Sequence, residues 1–423
     1  STLGMGSESE SLLMEMEILQ SSPTLNSTRS SMLDVGCYNT VLHGYCQQLH
    51  SNNIACAERL FTAMNNGQPL SITKHNEENM QQSPFLVIPP RPDFISYSSM
   101  IKCYCNHGMT AKAEELLVEM SASSPFKPTS SCYLLIFQAL KVSKEPDAPQ
   151  RVLSLIERSL PKPNRLLYIA ALKCMKQYGR GDEAEVILEK FRNSHTNRSG
   201  PDMYAHMLVL RAWEKTESKS DRLTASIRAE SWFHGMQKLV DASQLPAMDV
   251  NAYNCLLNCY ARAGEAEKAE QLLATMETLC DDHYIQPSSK SYSLVIKALS
   301  NSDSIDAVHR AWNILTRLGH PHGMKSTSPH EQVKIYNSML RLFAKRGMAS
   351  EAEALLTKMD EIVDGAVKAG PDIQSYEAVL EALGRCGDAD APARAEALVT
   401  RLEVMSELGG YFQPSLLAYN SLL

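Results

Sequence analysis

A chain of 423 residues is longer than one hydrophobic core normally supports, so it is either several domains or a repeat array. Its 44% apolar and 21% charged residues exclude a disordered chain, and its net charge of -7 argues against coating nucleic acid by charge alone while leaving room for a locally basic groove. No apolar run approaches the roughly 18 residues that span a bilayer, so no membrane partner is expected, and eleven cysteines set among apolar positions read as reduced buried thiols.

In chain order, Ser9, Leu12, Leu13 and Met16 share the spacing of one helical face, and from residue 35 a two-part pattern recurs to the end. Its first half, helix A, is an aromatic followed by apolar residues three, four and seven positions later, which puts four side chains on one face. Tyr38, Tyr97, Tyr133, Tyr168, Tyr253, Tyr292, Tyr336 and Tyr376 head it, with His206 as a variant. The second half, helix B, is a small residue followed by large apolar residues at the same spacings: Ala57, Ala113, Ala184, Ala229, Ala269, Ala311, Ala352 and Ala395, with Val152 in the remaining slot. The small residue lets helix B approach helix A closely, and neither helix can bury its face alone.

His107-Gly108, Ala263-Gly264 and Arg346-Gly347 mark turns between A and B, and Pro92-Asp93, Pro201-Asp202 and Pro371-Asp372 stop the chain before the next helix A. From the aromatic to the small residue the count runs 19, 16, 19, 16, 23, 16, 19, 16, 19, which predicts a longer helix or a looser turn in alternate repeats. Glu214 to Ile227 is the largest insertion within a repeat, and Asn65 to Arg91 the longest between repeats, read as a loop. The expected fold is all-α, a right-handed α-solenoid of about nine helix-turn-helix repeats. Its repeats span 35–93, 94–129, 130–164, 165–202, 203–249, 250–288, 289–332, 333–372 and 373–415, with residues 1–34 holding the end of a preceding repeat and 416–423 the start of another. Both ends thus read as cut within a repeat, as in a piece of a longer protein.

Ala252-Tyr253-Asn254-Cys255-Leu256-Leu257, Lys268-Ala269-Glu270-Gln271-Leu272-Leu273-Ala274-Thr275-Met276 and the closing Pro371-Asp372 together resemble the pentatricopeptide repeat family, and the match covers residues 9 to 423. The tetratricopeptide repeat is the nearest rival, but its Trp and Leu-Gly positions are absent, while Tyr-Asn recurs at Tyr38, Tyr253, Tyr336 and Tyr419. The resemblance implies single-stranded RNA as partner, bound along the concave face of the A helices at about one base per repeat. It implies an organellar protein of RNA processing, stability or translation, in mitochondrion or chloroplast.

The family's base-reading pair joins the residue after the helix A aromatic to the residue after the closing proline. Carried onto this chain, that gives Asn39 with Asp93, Ser98 with Thr129, Asn254 with Ser288 and Asn337 with Asp372. Asn with Asp then implies uracil, and Asn with Ser a pyrimidine. These residue types also favour helix starts, so each pair admits a capping role as well. Leu134 with Asn164, Ile169 with Asp202, Met207 with Asp249 and Glu377 with Ser415 depart from the pattern. Two residues before the aromatic, Ile95, Leu166 and Tyr204 are candidates to sandwich a base.

Cys255 and Cys259, four apart, and Cys103 and Cys105, two apart, lack the further ligands zinc needs, and Trp213, Trp232 and Trp312 read as packing residues. With no Gly-rich phosphate loop, no nucleophile elbow and no deaminase signature, the chain reads as no enzyme, with no metal, cofactor or small-molecule substrate. Two further readings remain open: a protein-interaction scaffold within a ribonucleoprotein, and the targeting array of an enzyme whose catalytic domain lies elsewhere.

Overall fold

Apolar residues three and four apart share a face only if the chain turns every 3.6 residues, and in the computed structural model they lie on helices. The structure describes residues 34–47, 51–68, 70–71, 86–87, 89–123, 125–158, 163–194, 200–218, 221–280, 285–318, 329–361 and 370–407. The expectations for residues 1–33, for Ser415 and for 416–423 lie outside these. The chain divides into two compact units, Ser1–Pro201 and Asp202–Leu423.

Unit 1 holds α1 (Val35–Gln47), α2 (Ser51–Asn66), α3 (Phe94–Asn106), α4 (Thr110–Ser123), α5 (Ser130–Ser143), α6 (Ala148–Arg158), α7 (Arg165–Tyr178) and α8 (Gly181–Asn193). Unit 2 holds α9 (Met203–Glu214), α10 (Arg222–Asp241), α11 (Val250–Ala263), α12 (Ala266–Cys280), α13 (Ser289–Asn301), α14 (Ala307–Leu318), α15 (Pro329–Arg346), α16 (Ala349–Glu361), α17 (Ile373–Cys386) and α18 (Ala391–Glu407). Odd-numbered helices are A and even-numbered helices B. Each A helix packs on its own B helix and, inside a unit, on the A helix of the next pair, so the stack is continuous within each unit. Inside the 65–91 insertion, expected as loop, Leu70–Ser71 pairs antiparallel with Leu86–Val87 in a minimal ribbon, β1 and β2, the only strand pairing among the described residues.

The seam is built as the spacing requires. Ala57, Ala113, Ala184, Ala229, Ala269, Ala311 and Ala352 are fully buried, and the large residues after them, such as Leu273, Met276 and Leu356, fill the space beyond. Each fully buried large side chain contributes about 1.5–3 kcal/mol, and here that burial exists only because a second helix covers it. Aromatics link successive pairs: Tyr97 meets Phe61 of the preceding B helix edge-on at 5.1 Å, and Tyr253 meets Phe233 at 5.0 Å. In three of the four repeats with the 19-residue spacing the extra residues make a looser turn, whereas in the first α2 starts at Ser51, six residues before Ala57, and is longer at its start. Two residues separate α7 from α8, α11 from α12 and α15 from α16, against four between α5 and α6, five between α13 and α14 and four between α17 and α18.

The last turn of an α-helix leaves carbonyls without partners, and here the next A helix supplies them. Asn106 Nδ2 donates to the Cys46 carbonyl (3.2 Å), the Tyr178 hydroxyl to Leu140 (2.6 Å), Arg262 Nη1 to Glu214 (2.8 Å) and Asn301 Nδ2 to Ala261 (2.7 Å). B helices are joined by ion pairs at recurring positions: Lys112 to Glu58, Arg151 to Glu114, Lys268 to Glu230, Arg310 to Glu270 and Arg394 to Glu353. Their side chains are 20–49% exposed, which limits each to about 0–1 kcal/mol, enough to favour one register. Between α14 and α16 those two positions carry Trp312 and Glu351 instead. Trp312, read from sequence as a packing residue, is 36% exposed with the Lys358 ammonium 5.2 Å from its ring centre.

Gly264 and Gly387 both close an A helix in the left-handed region, at φ +78° and +72°. A Cβ at Gly264 would stand 2.8 Å from the Asn301 carbonyl oxygen of the next A helix, whereas one at Gly387 meets nothing within 4 Å. Gly387→Ala is therefore expected to cost about 1–2 kcal/mol, the price of backbone strain alone. Gly264→Ala should cost measurably more, and equal shifts of the urea midpoint in the two variants would contradict the close inter-repeat approach.

Candidate nucleic-acid interface

A helix start needs acceptors for its first N–H groups, and at seven of the nine A helices the family's last-residue position supplies the N-cap. Asp93 accepts from Ser96 N, Asn164 from Leu167 N, Asp202 from Ala205 N, Asp249 from Ala252 N, Ser288 from Ser291 N and Asp372 from Ser375 N, while Thr129 sits at the N-cap of α5 without a side-chain bond. The capping role set beside base reading is thus real at these positions.

Three of the four sequence-predicted pairs are joined across neighbouring repeats. Asn39 Nδ2 donates to Asp93 Oδ1 (3.0 Å), Asn254 Nδ2 to Ser288 Oγ (3.4 Å) and Asn337 Nδ2 to Asp372 Oδ1 (2.9 Å). All three asparagines are buried, 3–6% exposed. Each carbonyl end takes a third residue that the sequence reading passed over. The Ser96 hydroxyl donates to Asn39 Oδ1 (2.6 Å), Ser291 to Asn254 Oδ1 (2.7 Å) and Ser375 to Asn337 Oδ1 (2.6 Å). The signal was present as a serine immediately before the aromatic.

Ser98 and Thr129 form no such unit. Ser98 donates to the Ile95 carbonyl at 3.0 Å, and Thr129 lies 3.8 Å from Cys132 Sγ. Ile169 and Met207, at the same position, are buried at 7% and 8% exposure, consistent with their departure from the pattern. Ser293, the corresponding residue of α13, was also passed over, and its hydroxyl oxygen is buried with no hydrogen-bond partner. An orphan donor at that position is costly unless a ligand satisfies it. The three sandwiching candidates lie exposed on the first turns of α3, α7 and α9: Ile95 is 55%, Leu166 60% and Tyr204 44% exposed.

Asp93 carries charge into this arrangement. Burial works against its ionised form, but hydrogen bonds from Ser96 N, the Asn39 amide, the Ser96 hydroxyl and Ile95 N outweigh it and hold the carboxyl below the usual value.

Charge is segregated between the two kinds of helix. The A helices of unit 1 carry five lysines and arginines and no acidic residue, and those of unit 2 nine against four glutamates. The nine B helices together carry fifteen against twenty-one. In unit 2 the cations crowd one another. Partial burial, then the repulsion of Arg262, Arg341 and Lys345, lowers the Lys297 pKa, and burial with Arg385 and Arg346 nearby lowers that of Lys345. Such crowding costs free energy that an arriving anion would relieve.

Burial pushes the Cys255 thiol up to about 12 and Cys259 further, so both are inert packing groups. Among the described residues no group of three or more His, Cys, Asp or Glu is placed to hold a metal ion, and no helix is long and apolar enough to cross a membrane.

Stacked helical pairs, seven of their A helices starting at the last residue of the pair before, define a helical-repeat protein. Two sequence models of repeat families, both described as PPR repeat, match residues 90–121 and residues 252–280 and 334–362. In these three segments the chain carries pentatricopeptide repeats. Two solved structures of the pentatricopeptide repeat protein PPR10 in complex with an 18-nt psaJ RNA element, one a cysteine-to-serine variant, share 18% identity with it at a TM-score of 0.51. The likeness covers 96% of this chain and 49% of theirs, so the chain spans about half the length of those proteins, and it shows the fold, an all-helical solenoid. No curated protein matches the chain.

Asp372→Ala should lower stability by about 1 kcal/mol through loss of the cap. Thr129→Ala, whose hydroxyl caps nothing, should stay within about 0.5 kcal/mol in the same urea titration. For Asp93 the pKa is lower in the folded than in the unfolded chain, so its contribution is complete above the unfolded carboxylate value, roughly 3.9, and is lost as pH falls through the folded one. Asp93→Asn should therefore flatten the acid limb of the stability profile and leave the profile above about pH 5 parallel.

Proposed function

We propose that the A-helix face binds single-stranded RNA through its phosphates and reads bases at a minority of repeats. The observation that carries this reading is the charge segregation: a chain with a net charge of -7 nevertheless keeps acidic residues off the helices that also present the reading positions, fourteen lysines and arginines standing there against four glutamates, whereas fifteen stand against twenty-one on the B helices. Phosphate contacts give affinity and base contacts give selectivity. Lys102, Lys173, Arg211, Lys297 and Arg341 recur five residues after the A-helix aromatic and would follow the backbone. Asn39 with Asp93, Asn254 with Ser288 and Asn337 with Asp372 would take bases, with Ile95, Leu166 and Tyr204 as stacking surfaces beside them. Ser98 with Thr129 would contribute less, because neither side chain orients the other. The role is one of binding, in organellar RNA processing, stability or translation, with the repeat boundaries set at the N-cap residues.

The test is anisotropy with a random single-stranded RNA pool at stepped salt. Affinity should fall along a slope of about 0.7 per phosphate neutralised. The triple variant Lys297→Glu, Arg341→Glu and Lys345→Glu should weaken binding at least about tenfold and flatten the slope by about two. Binding indifferent to both salt and these changes would end the reading. The cation crowding adds a sign: RNA restores the lowered lysine pKa values, so binding takes up protons and affinity should decline as pH rises toward the usual lysine value.

A protein partner on the B-helix side is a second reading, favoured by one feature. Where the ion-pair ladder is broken, Ile305, Val308, Trp312, Phe343 and Leu355 line a cavity of about 460 Å³, and Ile305 is 94% exposed. Trp312→Glu would remove such a partner and leave RNA binding intact.

A further inference from the structure

The third residue of each joined pair, the serine immediately before the aromatic of the following A helix, has no part in the reading above. Asparagine follows the aromatic in three described A helices, at Asn39, Asn254 and Asn337, and in each case the next A helix has serine before its aromatic: Ser96, Ser291 and Ser375. Where the residue after the aromatic is Ser98, Leu134, Ile169, Met207 or Ser293, that next position is Cys132, Leu167, Ala205, Ala252 or Ile335. The serine also completes a capping box at each of the three helix starts, but the other A helices begin without it, so its occurrence follows the asparagine.

The geometry gives a reason. A side-chain amide has a donor end and an acceptor end that exchange places when it flips, and only its partners decide which is which. Here the serine hydroxyl accepts from the backbone N–H of the N-cap residue, Asp93, Ser288 or Asp372, at 3.1 Å in each case. Its single proton has two acceptors in reach, the asparagine Oδ1 at 2.6–2.7 Å and the N-cap side-chain oxygen at 3.0–3.2 Å, and the asparagine contact is the shorter at all three. The amide nitrogen is thereby fixed toward the N-cap side chain, with one N–H spent there and one unspent. A flipped amide would set its oxygen against the N-cap oxygen. At Asp93 and Asp372 that is an acceptor facing a carboxylate, already prohibitive, whereas the Ser288 hydroxyl could rotate and donate to it.

Building on the RNA reading, we infer that Ser96, Ser291 and Ser375 are specificity-determining positioning residues that lock the asparagine amide of the preceding repeat with its N–H toward the base. The locked unit offers a donor beside the N-cap acceptor, which complements a pyrimidine edge carrying a carbonyl acceptor beside a ring N–H. The dependence on serine is graded. It is strongest at Asn254, where Ser288 tolerates both orientations, and weaker at Asn39 and Asn337, where an aspartate also forbids the flip.

The experiment uses the full chain with Ser291→Ala, Ser375→Ala and the corresponding Ser291→Thr and Ser375→Thr, which keep the hydroxyl. Two readouts are taken. Selection from a random single-stranded RNA pool gives the base preference at the position each repeat contacts. Hydrogen exchange of the asparagine side-chain amides, in chain labelled with ¹⁵N at asparagine and free of RNA, reports the lock itself. Ser291→Ala should reduce preference at its position from about tenfold or more to less than about threefold. Ser375→Ala should reduce it by a smaller factor, and both threonine variants should keep it. Amide exchange of Asn254 should accelerate in Ser291→Ala and not in Ser291→Thr. Undiminished base preference in Ser291→Ala, or unchanged Asn254 exchange, overturns the inference. Failure of the unaltered chain to bind the pool is the separate failure of the RNA reading, and the exchange measurement then decides the lock by itself.

Discussion

An α-helix begins with N–H groups that no residue of its own can satisfy, and in this chain the residue that satisfies them is the last of the preceding repeat. That single requirement ties local structure to the array. The N-cap fixes where each A helix starts, the start fixes which side chains meet the previous A helix, and Asn39, Asn254 and Asn337 reach their neighbours only because Asp93, Ser288 and Asp372 stand at that corner. At the opposite end the same neighbours close the carbonyls of the finished helix, through Asn106, Tyr178, Arg262 and Asn301. These A helices are thus fixed at the start by the repeat before and at the end, in α1, α5, α9 and α11, by the A helix after, so the apolar seam alone is not what sets the register.

Most of the fold was legible because it depends on spacing. The aromatic and the small residue of each pair lie where the 3.6-residue turn puts them, buried at Tyr97, Tyr253, Ala113 and Ala269. What periodicity does not encode is where extra residues go. The 19-residue spacing fitted a longer helix as well as a looser turn, and in three repeats only the capping at Lys144, Ser302 and Gly387 places them in the turn. Nor does it encode a side chain just off the seam: Trp312 follows Ala311 and so turns outward, although its type suggests burial.

The candidate interface was legible in part. The asparagine and N-cap positions follow from the repeat, but that the N-cap group is already bonded to the asparagine of the preceding A helix is a matter of three dimensions. The serine that completes each unit is a small polar residue among many and gains meaning only from a contact 37 or 38 residues away in sequence at Asn254 and Asn337. The basic face was hidden for a different reason, since a net charge of -7 averages over two sets of helices of opposite character.

The two ends of the account meet in one place. In each unit the A helices, and not the B helices, carry an excess of cations and the exposed candidates, Ile95 and Leu166 in the first and Tyr204 in the second. Photo-crosslinking of the full chain to RNA containing 4-thiouridine, with the linked peptides identified by mass spectrometry, locates the contact directly. The expected result is crosslinks within 94–106, 250–263 and 329–346, and crosslinks confined to the B helices, such as 266–280 and 349–361, would contradict it.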